Sequence, residues 1–189
     1  MRYEIDQSIK VEDTAKTTYV ALSNSSDIVV SISSKDKKAL KKHFRSINKP
    51  LTYKLFTFSA LCAKTILHLK LKKEDLVTID IEYPGYNRNI KYYITAIIKY
   101  HRKEAPDLIF QEVGKRSRAH RKVYKAFKAR EKGVMVDAKW ILKLTGCLSN
   151  AWLSVFSTRI GAPAGQSDII VSQKLKKVKL YEQKYVQEL

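Results

Sequence analysis

Three short strand-like segments lie near the start of the chain. Residues 3–9 and 27–33 alternate between apolar and polar positions, and residues 17–23 read Thr-Thr-Tyr-Val-Ala-Leu-Ser. Residues 24–26 (Asn-Ser-Ser) supply a tight turn between the second and third segments, and residues 10–16 are polar. We therefore expect an antiparallel meander of three strands.

Helical periodicity replaces this alternation after residue 33. Ser34 is placed to cap a helix over 35–47, with Asp36 in the first turn, where the helix dipole favours an anion. The pattern after residue 50 predicts two strands, over 75–83 and 107–114. It also predicts four helices: a wide-faced helix over 52–70, one from Asn87 to 103, one from the cap Ser117 to 131, and a short one from Asp137 through 143.

This order of elements predicts an α/β fold in one domain, residues 1–146. A meander followed by strand–helix units indicates a mixed five-stranded sheet (β-β-β-α-β-α-β-α) flanked by helices. Residues 147–189 form a C-terminal extension, with a linker-like segment at 157–167 and a basic tail at 168–189. Helix and strand both remain open for that tail.

Charge is the strongest feature of the composition. The 189 residues include 37 Lys and Arg against 18 Asp and Glu, which gives a formal net charge of +19. Such a surface attracts polyanions, of which nucleic acid is the commonest for a basic domain. An anionic membrane surface and a general lysine bias of the composition are the alternatives.

Other compositional features narrow the class of protein. Cys62 and Cys147 lie far apart in apolar segments, so we expect buried free thiols and a reducing compartment. No apolar leader and no uninterrupted apolar stretch long enough for a membrane helix is present, which predicts a cytoplasmic, intracellular protein with no membrane partner. The sequence contains no glycine-rich phosphate loop, zinc-ligand spacing or Ser-His-Asp arrangement.

Carboxylates within two predicted central strands are the candidate chemistry. Side chains alternate along a strand, so Glu4 and Asp6 share one face of the first strand, and Asp80 and Glu82 share one face of the fourth. Acids are costly in central strands unless they are paired or bind a cation, and ligand sets of oxygen alone suit Mg²⁺ or Mn²⁺. Capping of a turn by Asp6 and pairing of Glu82 with a lysine are the alternative interpretations.

The strand order, with Asp6 in the first strand and Glu82 at the end of the fourth, resembles the ribonuclease H-like superfamily, and most closely its RuvC-type resolvases. The resemblance covers residues 2–131 and implies Asp6, Glu82 and His120 as catalytic residues, a metal site of Asp6, Asp80 and Glu82, and a homodimer. Members of this superfamily usually bring a further acid from the last helix, whereas this chain offers His120 in Ser117-Arg118-Ala119-His120. Glu112 and Asp137 are weaker candidate ligands.

Two basic segments are candidate nucleic-acid contacts. A helix N-terminus with arginine side chains can hold phosphate, which favours the segment that opens the helix after Ser117. A second basic face lies on the helix over 35–47, and Tyr83 is a candidate for base stacking or for the core. The nucleic-acid-binding candidates are Lys115, Arg116, Arg118, Arg121, Lys122, Lys38 and Lys42.

These observations predict a nucleic-acid-binding protein that acts as a divalent-metal-dependent endonuclease. The expected substrate is structured DNA or an RNA-containing duplex. The alternative is a non-catalytic DNA- or RNA-binding protein with the same fold, of ribosomal or structural type.

Overall fold

The computed structural model describes residues 1–131 and 133–146, and Met1–Ala138 form one compact unit. The strands of this unit are β1 (Arg2–Gln7), β2 (Thr18–Ser23), β3 (Asp27–Ile32), β4 (Leu76–Ile79), β5 (Asp107–Phe110) and β6 (Val134–Val136). Its helices are α1 (Ser34–Ser46), α2 (Pro50–His68), α3 (Asn87–His101) and α4 (Arg118–Ala129). Residues 138–146 form a fifth helix, α5, which lies mostly in a second unit beginning at Lys139. The predicted linker-like segment at 157–167 and basic tail at 168–189 lie outside the described residues.

The six strands form one mixed sheet in the order β5-β4-β1-β2-β3-β6, and the predicted α/β class is confirmed at this level. β2 pairs antiparallel with both β1 and β3, whereas β1 with β4, β4 with β5, and β3 with β6 are parallel pairs. All strands except β2 therefore end at the same edge of the sheet. The carboxyl ends of β1 and β4 are direct neighbours there.

The prediction of five strands is wrong, because β6 adds a sixth beside β3. β6 has only three residues, too few to produce a readable alternation of apolar and polar positions. Gly133 makes its approach possible, since a Cβ atom at this position would lie 2.3 Å from the carbonyl oxygen of Val29.

Helices cover both faces of the sheet. On one face, Val123 and Ala126 of α4 pack with Tyr19, Ala21 and Val29 in a buried cluster. α2 packs against β2 and β3, and α1 and α3 pack against α2. Because α4 occupies the face of Tyr19, Ala21 and Val29, we place α2, with α1 and α3 beside it, on the opposite face.

The residues at the start of each helix explain most differences between the predicted and the observed helix bounds. Ser33, not Ser34, caps α1 by accepting from the Asp36 N–H at 3.1 Å. Pro50 begins α2, since its fixed φ and missing N–H suit a first helical position. Asn87 is the first residue of α3 and does not cap it, whereas Ser117 caps α4 as predicted, accepting from the His120 N–H at 2.9 Å.

The predicted strands over 75–83 and 107–114 are both too long. β4 ends at Ile79 and β5 at Phe110, and the residues that follow are not in strands. Glu82 therefore does not lie in a strand. The alternation over 77–83 continued past the strand end because Tyr83 is buried in the turn.

Lys37 departs from the amphipathic pattern that placed it on the basic face of α1. Its side chain is fully buried and donates to the Asp13 carbonyl at 2.6 Å and to the Thr18 hydroxyl at 2.7 Å. Burial lowers its pKa to about 8. Lys37 thus fastens the loop between β1 and β2 and cannot contact a phosphate.

Among the described helices, none combines the length and the apolar character needed to cross a membrane.

Candidate functional site

Three carboxylates meet at the edge where β1 and β4 end. Each of Asp6, Asp80 and Glu82 offers an oxygen atom, and these oxygens lie within 4.8 Å of one another. Within residues 1–131 and 133–146, this is the one group of three or more His, Cys, Asp or Glu side chains spaced to hold a metal ion. The structure therefore brings together the three residues predicted as metal ligands.

Asp6 is the most enclosed member of the group. It lies in β1 opposite Ala21 of β2, and its side chain is only 4% exposed. One oxygen accepts from the Gln7 N–H at 2.6 Å, and the other lies 2.7 Å from Nδ1 of His120. Both oxygens are thus oriented by the protein itself.

Asp80 reaches the group from the position directly after β4, and Glu82 reaches it from the turn that follows, so the two do not share one face of a strand. The Asp80 N–H donates to the Ile5 carbonyl at 3.0 Å, which extends the pairing of β4 with β1 by one residue. The Glu82 N–H then donates to the Asp80 carbonyl at 2.9 Å, which folds the chain back. Asp80 is further held by the Val113 N–H, which donates to its Oδ1 at 2.7 Å.

Burial and mutual repulsion raise the pKa values of two of these acids. Burial raises the pKa of Glu82 to about 7, and the negative charges of Asp80 and Asp6 add to the effect. Burial also raises the pKa of Asp6, against the hydrogen bonds from Gln7 and His120 that lower it. The group carries an electrostatic cost that a nearby positive charge would relieve.

His120 lies on α4, one turn from its capped end, and its side chain is 38% exposed. Since α4 packs across β1 and β2, its first turn stands over the acidic group. The residue predicted from the last helix is therefore in direct contact with Asp6. The remaining candidate ligands, Glu112 and Asp137, are not members of the group, and neither is Glu4.

Sequence reasoning missed Lys10 and the loop that carries it. The Lys10 ammonium donates to the Glu82 carbonyl at 3.4 Å, and its charge lowers the pKa of Glu82. The same loop is anchored by the Tyr83 hydroxyl, which donates to Glu12 at 2.9 Å, and by the Tyr53 hydroxyl, which donates to the Val11 carbonyl at 2.9 Å. No pattern within the sequence signals this contact, because it joins residues 72 positions apart.

Tyr83 and Cys62 are both buried in the core. Tyr83 is 4% exposed with its hydroxyl bonded to Glu12, so it belongs to the core and cannot stack on bases. Cys62 is a buried free thiol, as predicted, and burial raises its pKa, which disfavours the reactive thiolate. Cys147 lies outside the described residues.

The basic residues predicted to contact nucleic acid lie in two places, around the start of α4 and on α1. Lys115, Arg116, Arg118 and Arg121 are exposed around the start of α4, beside the acidic group, and Lys122 is half-buried. Arg118 also forms an ion pair with Asp27 at 3.2 Å, and Lys122 one with Glu131 at 3.5 Å. Lys38 and Lys42 are exposed on α1, which we place on the opposite side of the sheet from α4.

Comparisons with protein-family models, with curated proteins and with solved structures found no match to this chain.

Proposed function

We propose that this protein is a nucleic-acid-binding, divalent-metal-dependent endonuclease with a ribonuclease H-like core. The observation that carries the proposal is the group of Asp6, Asp80 and Glu82, whose carboxylate oxygens lie within 4.8 Å of one another. This anionic group is embedded in a chain of net charge +19. A protein that only binds phosphate gains nothing from three acids at its basic surface.

The arrangement of strands supports the resemblance to the ribonuclease H-like superfamily. β1, β2 and β3 form an antiparallel meander, and β4 and β5 add in parallel on the other side of β1. Helices lie on both faces, and the acids gather where β1 and β4 end. β6 is an addition at the far edge that leaves this part of the sheet unchanged.

The donor set fits Mg²⁺ or Mn²⁺. All three donors are carboxylate oxygens, which hard divalent cations prefer. Ligands on opposite sides of Mg²⁺ lie ~4.2 Å apart, given Mg–O distances of 2.0–2.1 Å. Adjacent ligands lie closer, at ~2.9 Å, so the three oxygens, which all lie within 4.8 Å of one another, reach one ion after side-chain rotations that draw them together. When bound, such a cation polarises a phosphate oxygen and lowers the pKa of a water molecule.

The surrounding residues divide into two roles. His120 holds one oxygen of Asp6 and fixes its orientation, and the Val113 N–H does the same for Asp80. The exposed cations Lys115, Arg116 and Arg121 lie beside this edge and supply phosphate contacts for a nucleic-acid strand. Structured DNA and RNA-containing duplexes are the substrates that we propose.

The decisive experiment compares cleavage of labelled Holliday junction, RNA–DNA hybrid and single strands with Mg²⁺, Mn²⁺ or EDTA. We expect cleavage that requires the metal and disappears in Asp80→Asn, whose amide oxygen still accepts from the Val113 N–H. Glu112→Gln is the matched control, because Glu112 is an exposed acid outside the group. Binding of the same substrates should weaken steeply with salt.

A non-catalytic nucleic-acid-binding protein is the second candidate. The occupation of both Asp6 oxygens by the Gln7 N–H and by His120 favours it, because these contacts satisfy the acid without a metal. Tight, salt-dependent binding with no cleavage under either metal would establish this candidate and overturn the endonuclease.

A further inference from the structure

A cavity of about 290 Å³ opens between the loops that precede β4 and β5. Leu71, Lys72, Lys73 and Glu74 line it from the first loop, and Arg102, Lys103 and Glu104 from the second. These loops enter the amino ends of β4 and β5, whereas Asp80 follows the carboxyl end of β4. The four residues of β4 span ~13 Å, so the cavity is separate from the acidic group.

The charge of the cavity wall favours an anion. Four of its residues are cationic and two are carboxylates. The three lysines and both glutamates are exposed, whereas Arg102 is half-buried. Arg102 is therefore the most enclosed cation of this wall, with exposed charges around it.

One edge of the Arg102 guanidinium is buried and has no hydrogen-bond partner. Its Nε and Nη2 atoms are closed to solvent and make no hydrogen bond. These two nitrogens donate side by side from the same edge of the plane, which is the arrangement that a single phosphate or carboxylate accepts with two oxygens. Burial lowers the pKa of the group.

Asp75 is the carboxylate whose charge acts most strongly on Arg102, but both of its oxygens are engaged elsewhere. Oδ1 lies 2.9 Å from the ammonium group of Met1, and Oδ2 accepts from the Lys72 N–H at 2.7 Å. The fold thus places a guanidinium edge beside a carboxylate that is already satisfied.

We propose that this cavity binds a phosphate group, with Arg102 as its bidentate ligand and Lys72, Lys73 and Lys103 as supporting charges. Because the Nε–Nη2 edge is closed to solvent, binding turns the Arg102 side chain so that this edge faces the cavity. Free phosphate and the backbone phosphate of a nucleic acid present the same oxygens. The site does not depend on the metal or on cleavage, so it stands apart from the proposed function.

The test is calorimetric titration of the metal-free full chain with inorganic phosphate, with pyrophosphate and with a short oligonucleotide, at constant ionic strength. We expect Arg102→Gln to weaken phosphate binding roughly 10-fold or more, and Arg102→Lys to recover only part of it, since lysine lacks the fork. Lys99→Gln is the control, because Lys99 is an exposed cation on the last turn of α3 outside the cavity. A larger effect of Arg102→Gln on the oligonucleotide than on free phosphate identifies the nucleic-acid backbone as the source.

Thermal unfolding without phosphate gives an independent readout. Arg102→Gln should leave the melting temperature unchanged, because the buried nitrogens make no hydrogen bond that the substitution removes. The proposal is overturned by phosphate affinity equal in wild type and Arg102→Gln, by no binding of any of the three probes, or by a marked loss of thermal stability without ligand.

Discussion

The imidazole Nδ1 of His120 lies 2.7 Å from Oδ2 of Asp6, although 114 residues separate the two in sequence. The contact joins the first turn of α4 to the second-last residue of β1. It ties the basic helix to the acidic group, so that the nucleic-acid contact proposed for α4 and the metal proposed at Asp6 would belong to one site.

Substitution of His120 tests this link. If its role is to orient Asp6, His120→Ala should slow metal-dependent cleavage roughly 100-fold in single turnover and leave substrate affinity unchanged. His120→Asn, whose amide can still donate to Asp6, should retain more activity. Lys125→Ala, an exposed change on the same helix, should behave as wild type. Equal rates for His120→Ala and wild type would exclude the role.

The pKa of Glu82, raised to about 7, predicts how stability depends on pH without metal. The folded protein binds a proton at Glu82 that the unfolded chain releases near pH 4.5, so this contribution is present below pH 4.5 and is lost as pH rises through 7. We expect the free energy of unfolding in EDTA to fall by about 2 kcal/mol between pH 5 and pH 8, relative to Glu82→Gln.

Urea unfolding of wild type and Glu82→Gln at both pH values measures this difference, and the comparison cancels the pH dependence of groups that do not interact with Glu82. Mn²⁺ should reverse the loss at pH 8 in wild type only. Parallel pH profiles of the two proteins would show that Glu82 ionises as an ordinary acid.

Substitution of Lys10 should change the metal affinity and the cleavage rate in opposite directions. Its ammonium lies beside Glu82, so it competes with a cation there but can also hold the phosphate being cleaved. Lys10→Gln should therefore bind Mn²⁺ roughly 3-fold more tightly and cleave roughly 10-fold more slowly or worse. Lys16→Gln, in the same loop and exposed, is the control. Unchanged Mn²⁺ affinity would show that Lys10 does not act on the metal site.

Substitution of the buried Lys37 should lower the free energy of unfolding strongly. Lys37→Ala leaves a cavity in the core and removes the donor to the Asp13 carbonyl and the Thr18 hydroxyl. We expect a loss of about 3 kcal/mol in chemical unfolding, against less than about 0.5 kcal/mol for its exposed neighbour Lys38→Ala. Similar losses for the two variants would contradict the buried position.

Periodicity predicted the elements that have enough residues to display it. Five of the six strands and all four helices of the first unit are recognisable from the spacing of apolar positions, with errors at their ends. β6 was missed because three residues carry too little pattern, and Lys37 was misplaced because a helix face does not reveal that a loop folds over it. The second error arises from contacts that are distant in sequence, to Asp13 and Thr18.

The candidate site was predictable in its residues but not in its geometry. Asp6 and Asp80 follow from acids at the ends of neighbouring strands. Glu82 was placed with them for the wrong reason, since a turn and not the strand alternation directs it. No local pattern indicates that Lys10 lies beside Glu82, because that contact depends on how the loop after β1 is anchored by Tyr53 and Tyr83.

Both edge strands of the sheet are short, with four residues in β5 and three in β6. A short edge strand exposes few unpaired backbone N–H and C=O groups to a strand of another molecule. On β5, moreover, the Leu108 carbonyl is already covered by the Lys91 ammonium at 2.8 Å. The described part of the protein is thus poorly suited to grow by adding a foreign strand at either edge of its sheet.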